Sequence, residues 1–198
     1  KPKKVAIDAT GISLDYASPH YCKRIGLRTK KRPFLKATFI ADIEDYIILL
    51  CKSRKKQRHD IMDAKPLIKK ISKHYSFDFF YADRGYDDEN IFKLVFEKLK
   101  AYPFILQKRL DVPKHRRKGT YRKKTIDVFD YGEYLQRNKI ETLMSMFKKR
   151  FGSSIKSRHH KTQKVEFLTR VIAFNIDRLI RLNKKVILII IRITRVSY

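Results

Sequence analysis

Apolar positions along this chain fall into short runs, each closed by a turn residue or an acid, and these runs set the predicted elements. Lys4-Val5-Ala6-Ile7-Asp8 reads as a buried strand that ends on an acid, with Thr10-Gly11 as the break after it. Residues 12–34 are polar and basic, contain Pro19, Gly26 and Pro33, and predict an extended loop or hairpin. Leu35 to Ala41 and Tyr46 to Cys51 are β-rich runs around Asp42-Ile43-Glu44-Asp45, which predicts a hairpin. Ser53 to His59 is a basic turn, and Asp60 stands at the N-cap position of a helix with Ile61, Leu67, Ile68 and Ile71 on its apolar face.

Phe77 to Ala82 predicts a second buried strand, and it too ends on an acid, Asp83, before Gly85. A helix follows from Asp88 or Glu89 to about Lys100, with Ile91, Leu94, Val95 and Leu99 at helical spacing. Tyr102 to Gln107 is a further strand and residues 108–124 a basic loop. Helices are predicted from about Gly132 to Phe151 and from Thr162 to Leu182. The alternation of strands with crossover helices predicts an α/β fold around a mixed sheet. In open sheets of this kind ligands sit beyond the carboxyl ends of the strands, which is where Asp8 and Asp83 fall. The predicted domain is 1–182, followed by an apolar and basic tail, 183–198.

Charge changes the picture. Forty-eight Lys and Arg against twenty Asp and Glu give a formal +28 over 198 residues. Self-repulsion on that scale opposes compaction, so an anionic partner is the natural explanation, nucleic acid first, since each neutralised phosphate releases counterions. With 43% hydrophobic residues the chain can bury a core, which excludes wholesale disorder. The greasy run from Val186 to Ile191 is far short of the ~20 residues a bilayer span needs, and no membrane partner is expected. Cys22 and Cys51 form neither a disulfide framework nor a zinc knuckle and fit a reducing cytoplasm. Lys1-Pro2-Lys3-Lys4 leads directly into the first strand with no signal-peptide pattern and no initiator Met, as in a fragment or processed product.

The helix predicted over 132–151 can be tested by geometry. At ~100° per residue, with Tyr134 at zero, Arg137 falls near ~−60°, Glu141 near ~−20° and Lys148 near ~−40°. These four share one stripe beside a core face of Ile140, Leu143, Met144, Phe147 and Phe151. Asp8, Asp83 and Glu141 brought to one place would repel unless a cation neutralised them, and hard oxygen ligands select Mg²⁺ or Mn²⁺. Two such ions can activate an attacking oxygen and stabilise a leaving oxygen in phosphoryl transfer. Taken singly each residue has a plainer reading. Asp8 and Asp83 could be turn residues, Glu141 a solvated helix acid, and Arg137 and Lys148 two more charges on a basic surface. Asp60 reads as a helix cap, and Asp87, Asp88 and Glu89 as helix N-terminal acids. His159-His160 is not a metal pair, because adjacent residues point to different faces.

Tyr134-x2-Arg137-x3-Glu141-x6-Lys148 matches the Y-(2)-R-(3)-E-(6)-K signature of the DDE transposases of bacterial and archaeal insertion sequences. Ile7-Asp8-Ala9-Thr10-Gly11 resembles their first-aspartate motif and Ala82-Asp83-Arg84-Gly85-Tyr86-Asp87 their second. Arg58-His59-Asp60 resembles the element before the intervening helix, and Asn175 the Asn of the closing helix. The resemblance runs from residue 4 to about 182. It implies a ribonuclease H-like five-stranded mixed sheet flanked by helices, and two divalent metals, Mg²⁺ or Mn²⁺, on Asp8, Asp83 and Glu141. It further implies cleavage that exposes a 3′-hydroxyl, and transfer of that end into target DNA. Arg137 and Lys148 would hold phosphates at the transposon end, and Tyr134 would help position DNA.

The basic loop, with Arg116, Arg117 and Lys118, would track DNA phosphates. A homodimer on DNA in a prokaryotic cytoplasm, associated with the nucleoid, completes the expectation. Family members carry an N-terminal DNA-binding region that this chain, opening on its first strand, does not display. Asp83 and Glu141 lie too close in sequence for the large β-rich insertion of some relatives. The competing readings are a ribonuclease H-like nuclease or resolvase without strand transfer, and an inactive DNA-binding remnant of a transposase.

Overall fold

The computed structural model describes residues 3–14, 24, 34–56, 58–108, 112–116, 118–126 and 128–182. Its centre is a mixed sheet in the order β3-β2-β1-β4-β5. The strands are β1 (Lys4–Leu14), β2 (Phe34–Asp42), β3 (Ile47–Arg54), β4 (Phe79–Ala82) and β5 (Tyr102–Ile105). β2 is antiparallel to β1 and β3, whereas β4 and β5 run parallel to β1. A two-residue strand, β6 (Ser154–Ile155), pairs in parallel with the end of β1. Helices α1 (Asp60–Ile71) and α2 (Glu89–Leu94) belong to one face of the sheet, and α5 (Asn138–Phe151) and α6 (His160–Arg181) to the other. Two short helices, α3 (Thr120–Lys124) and α4 (Tyr131–Tyr134), lie between them in sequence. This is the mixed α/β arrangement that the alternation of elements predicts and the ribonuclease H-like fold that the family resemblance implies.

Strand periodicity divides the side chains between two cores. Ala6 and Ile12 of β1 join Phe39, Phe147, Phe167 and Phe174 on the α5/α6 side. Val5 and Ile7 join Ile40, Phe80, Ile68 and Phe92 on the α1/α2 side. On the first side, Phe147 sits 5.6 Å from Phe39 and 5.7 Å from Phe174, ring centre to ring centre, which clamps α5 and α6 onto the sheet. Asn175 of α6 reinforces this on the edge strand β3. Its side chain donates to the Ile48 carbonyl at 2.8 Å and accepts from the Ile48 N–H at 2.9 Å, filling both backbone positions that a further strand would otherwise take.

Several elements differ from their predicted form. β1 does not break at Thr10-Gly11, because β2 pairs with it residue by residue from Val5 to Ser13. Gly11 suits that pairing, since a β-carbon there would lie 3.1 Å from the Phe34 ring. Asp60 is not the cap of α1: His59 holds that position without a side-chain cap, and Asp60 sits in the first turn, 2.5 Å from Lys36 Nζ. The helix predicted over 132–151 is interrupted by a 3₁₀ turn, Leu135–Arg137, between α4 and α5. α2 passes into a π turn over Val95–Leu99 and ends at Lys100, whose φ of 57° is left-handed.

The basic loop is partly ordered into a 3₁₀ turn, Lys114–Arg116, and α3. Glu89 accepts from the Tyr121 and Arg122 amides, and Asp87 binds the Arg122 guanidinium at 2.7 Å. Of the predicted N-terminal acids, Asp88 caps α2 through Asn90 N–H, while Asp87 and Glu89 moor this basic segment. Cys22, Arg117 and the tail 183–198 lie outside the described residues. No helix among the described residues is long and apolar enough to cross a membrane.

Candidate functional site

Two acids meet because of strand register. β1 and β4 are parallel with Ile7 beside Ala82, so the next residues come at the same level, Asp8 within β1 and Asp83 just past the end of β4. Neighbouring strands lie ~4.8 Å apart, which brings the two carboxylates to one edge of the sheet. The alternation that buries Ala6 and Ile12 on the α5/α6 side also aims Asp8 and Thr10 at α5. Asp83 lies at the turn after β4, where its carboxylate accepts from the Arg84 N–H at 2.7 Å.

α5 supplies the opposite wall. Ile140, Leu143 and Phe147 bury its inner face, and the adjoining stripe presents Glu141, Ser145 and Lys148 to the sheet edge. Between them is an open cleft of 430 Å³ lined by Asp8, Thr10, Glu141, Met144, Ser145 and Lys148. Lys148 crosses it, donating to the Thr10 hydroxyl at 2.6 Å. Arg137 Nη1 pairs with Glu141 Oε1 at 2.7 Å, and its guanidinium lies over the Tyr134 ring, 5.8 Å from the centroid. Tyr134 is only 5% exposed and packs between Phe129 and Tyr131. It therefore lies under Arg137 as a platform rather than beside it on an open face.

The electrostatics of the cleft centre on Asp8. Burial pushes its carboxyl up to about 6 against an ordinary 3.8, and the negative charges of Asp83 and Glu141 add to the effect. The Ala9 N–H, donated to Asp8 at 2.8 Å, and the Arg137 charge pull in the other direction without overcoming it. Asp83 and Glu141 thus both act on Asp8. The three acids are not gathered into one coordination shell: among the described residues no group of three or more His, Cys, Asp or Glu is placed to hold a metal ion. Glu141, with its side chain 55% exposed, is turned to Arg137 instead. The donor chemistry nonetheless fits a divalent ion, because a half-buried carboxylate whose ionisation is opposed by two acidic neighbours is relieved by a hard cation.

Arg116 and Lys118 are exposed on the segment moored by Asp87 and Glu89. The sequence reading missed Thr10 as a cleft residue, because the expected break at Gly11 left it in a turn. Asp63, buried in α1, was missed too. Burial alone would raise its carboxyl, but hydrogen bonds and charge from Lys52 and Arg54 hold it below the usual range. Its partners come from β3, so nothing within the helix pattern signals it.

The sheet order and its acid-lined edge define the chain as a ribonuclease H-like domain. Residues 1–176 match the transposase DDE domain family, and the chain belongs to that family. Among solved structures, the fold is similar to that of the piggyBac transposase in its synaptic complex with hairpin DNA. The TM-score is 0.54 at 10% sequence identity, over 92% of this chain and 49% of that one. The chain therefore spans about half the length of that protein. Comparison with curated proteins gave no match.

Proposed function

We propose that this chain is the catalytic domain of a DNA transposase, in which Asp8, Asp83 and Glu141 hold two divalent cations, Mg²⁺ or Mn²⁺, against a DNA phosphate. The observation that carries this reading is the register that sets Asp8, within β1, beside Asp83, at the turn after the parallel strand β4, with Asp8 facing Glu141 across the cleft. Membership of the transposase DDE domain family supports it. When bound, the ions supply Lewis-acid activation of the attacking oxygen and charge stabilisation of the leaving one.

The remaining roles fall to the chain's own groups. Lys148, at the cleft wall beside Asp8 and Thr10, would take a phosphate oxygen and orient the scissile bond. Arg137 would hold a neighbouring phosphate, braced from below by Tyr134, which acts through Arg137 rather than on DNA directly. For Glu141 to join the aspartates it must leave Arg137. A DNA phosphate, competing for the same guanidinium, favours that exchange. Arg116, Arg117 and Lys118 would follow the DNA backbone away from the cleft and add affinity without sequence preference.

Mn²⁺ titration calorimetry paired with a strand-transfer assay tests the reading. Wild-type chain should bind Mn²⁺, and Asp8→Asn and Asp83→Asn should not. With Mn²⁺, the wild type should join a 3′-hydroxyl end to a second duplex. Cleavage without joining would point to a nuclease or resolvase. DNA binding without Mn²⁺ affinity would point to an inactive remnant.

A further inference from the structure

α6 is apolar on two opposite sides. At ~100° per residue, Phe167, Val171 and Phe174 lie on the side buried against the sheet. Val165, Leu168, Ile172, Ile176 and Ile180 fall within an arc of ~120° on the other side. Those five are 62%, 47%, 61%, 39% and 53% exposed. Between Val165 and Ile180 the arc carries Thr169 and Leu179 besides, and no charge. In a chain with 34% charged residues, a charge-free stripe ~22 Å long is a face built to be covered, because a contiguous exposed apolar patch marks an interaction site.

We infer that this stripe is a self-association surface whose partner is the same stripe of a second copy, packed antiparallel about a two-fold axis at Ile172. The spacing selects that partner. From Ile172, Leu168 and Ile176 lie four residues to either side, and Val165 and Ile180 seven and eight residues away. Reversing the helix about Ile172 superposes Leu168 on Ile176 and Val165 on Leu179, with Ile180 falling on Lys164 at the margin. This apolar match from Val165 to Leu179 is the self-complementarity an isologous interface requires. Antiparallel pairing also sets each helix dipole against its opposite. One helix face is smaller than the ~1,200 Å² of a stable standing interface, so the pair is weak alone and closes when two chains share one DNA. The inference rests on α6 and is independent of the chemistry assigned to the cleft.

A residue on the two-fold axis meets its own copy, and this gives a specific test. Sedimentation velocity of the whole chain at rising concentration should reveal a monomer–dimer equilibrium. Ile172→Glu and Ile172→Lys should each weaken it at least ~10-fold, since each sets like charges face to face at the centre. An equimolar mixture of the two variants should restore the dimer as a heterodimer. Unchanged melting temperatures would show that these exposed substitutions leave the fold intact. If both variants dimerise like the wild type, the interface lies elsewhere and the inference fails. It fails equally if the wild type stays monomeric while both variants melt lower at every concentration, without rescue on mixing. The stripe would then be covered from within the chain.

Discussion

Asp8→Asn is predicted to stabilise the metal-free protein while removing its metal site. The carboxyl of Asp8 is raised from 3.8 to about 6 by burial, reinforced by Asp83 and Glu141. Between those two values the folded protein keeps a proton that the unfolded chain has released. Stability from this group is therefore full below about pH 4, falls as pH rises through about 6, and levels off above about pH 7. At ~1.36 kcal/mol per pKa unit the ionised form costs about 2–3 kcal/mol once partial solvent access is allowed for. Asparagine is never ionised, and its carbonyl oxygen can still accept the Ala9 N–H now donated to Asp8 at 2.8 Å. The variant should match the wild type at pH 4 and exceed it by about 2–3 kcal/mol at pH 8, on the order of 5–10 °C in melting temperature for a chain this long. The chain contains no Trp, so urea unfolding in chelator is followed by circular dichroism and tyrosine fluorescence. A stability difference that stays constant from pH 4 to pH 8, or a variant weaker than wild type at pH 8, would refute the electrostatic reasoning.

The other expectations follow from the same geometry. Saturating Mn²⁺ at ~100 times its Kd should stabilise the wild type by about 2.7 kcal/mol and leave Asp83→Asn unmoved, as read by thermal melting. Arg137→Gln should lower single-turnover cleavage at a cognate end by ~10–100-fold while DNA affinity changes little. Replacing Arg116, Arg117 and Lys118 with Gln should instead weaken binding to all sequences and reduce the salt slope of log K by up to ~0.9 per lost phosphate contact. Parallel loss of affinity in both sets, with bound-state rates unchanged, would remove the special role of Arg137. Asn175→Ala should destabilise the fold by about 1–3 kcal/mol in urea unfolding, because it orphans the Ile48 N–H and carbonyl together.

Asp83 was legible because the end of β4 is written locally: an apolar run, then the acid, then Gly85. The same pattern around Asp8 marked the cleft acid but not a strand end, since β1 continues to Leu14. Glu141 was legible through helical phase, which places it beside the buried face defined by Ile140, Leu143 and Phe147. What the sequence concealed was whatever depends on a distant partner. The persistence of β1 through Gly11 is dictated by β2, and so the Thr10–Lys148 contact could not be foreseen. The 3₁₀ turn before α5 sinks Tyr134 beneath Arg137, a change of depth that a uniform ~100° step cannot register. Asp63 carried no signal in the helix pattern, and Glu89 read only as a helix N-terminal acid, although each meets bases or amides from another element. The Arg137–Glu141 pair was implicit in their four-residue spacing, but its consequence, a glutamate turned away from the aspartates, emerges only with the fold.

The central claim is that Asp8, Asp83 and Glu141 form the metal site. Anomalous diffraction from crystals grown with Mn²⁺ and a DNA duplex tests it most directly, because manganese is located without reference to activity. The account predicts manganese peaks in the cleft, within ~2.0–2.3 Å of carboxylate oxygens of Asp8 and Asp83, with Glu141 released from Arg137 to complete the shell. Manganese bound elsewhere, for instance beside Asp60, with the Asp8–Asp83 edge bare and Glu141 still on Arg137, would contradict it.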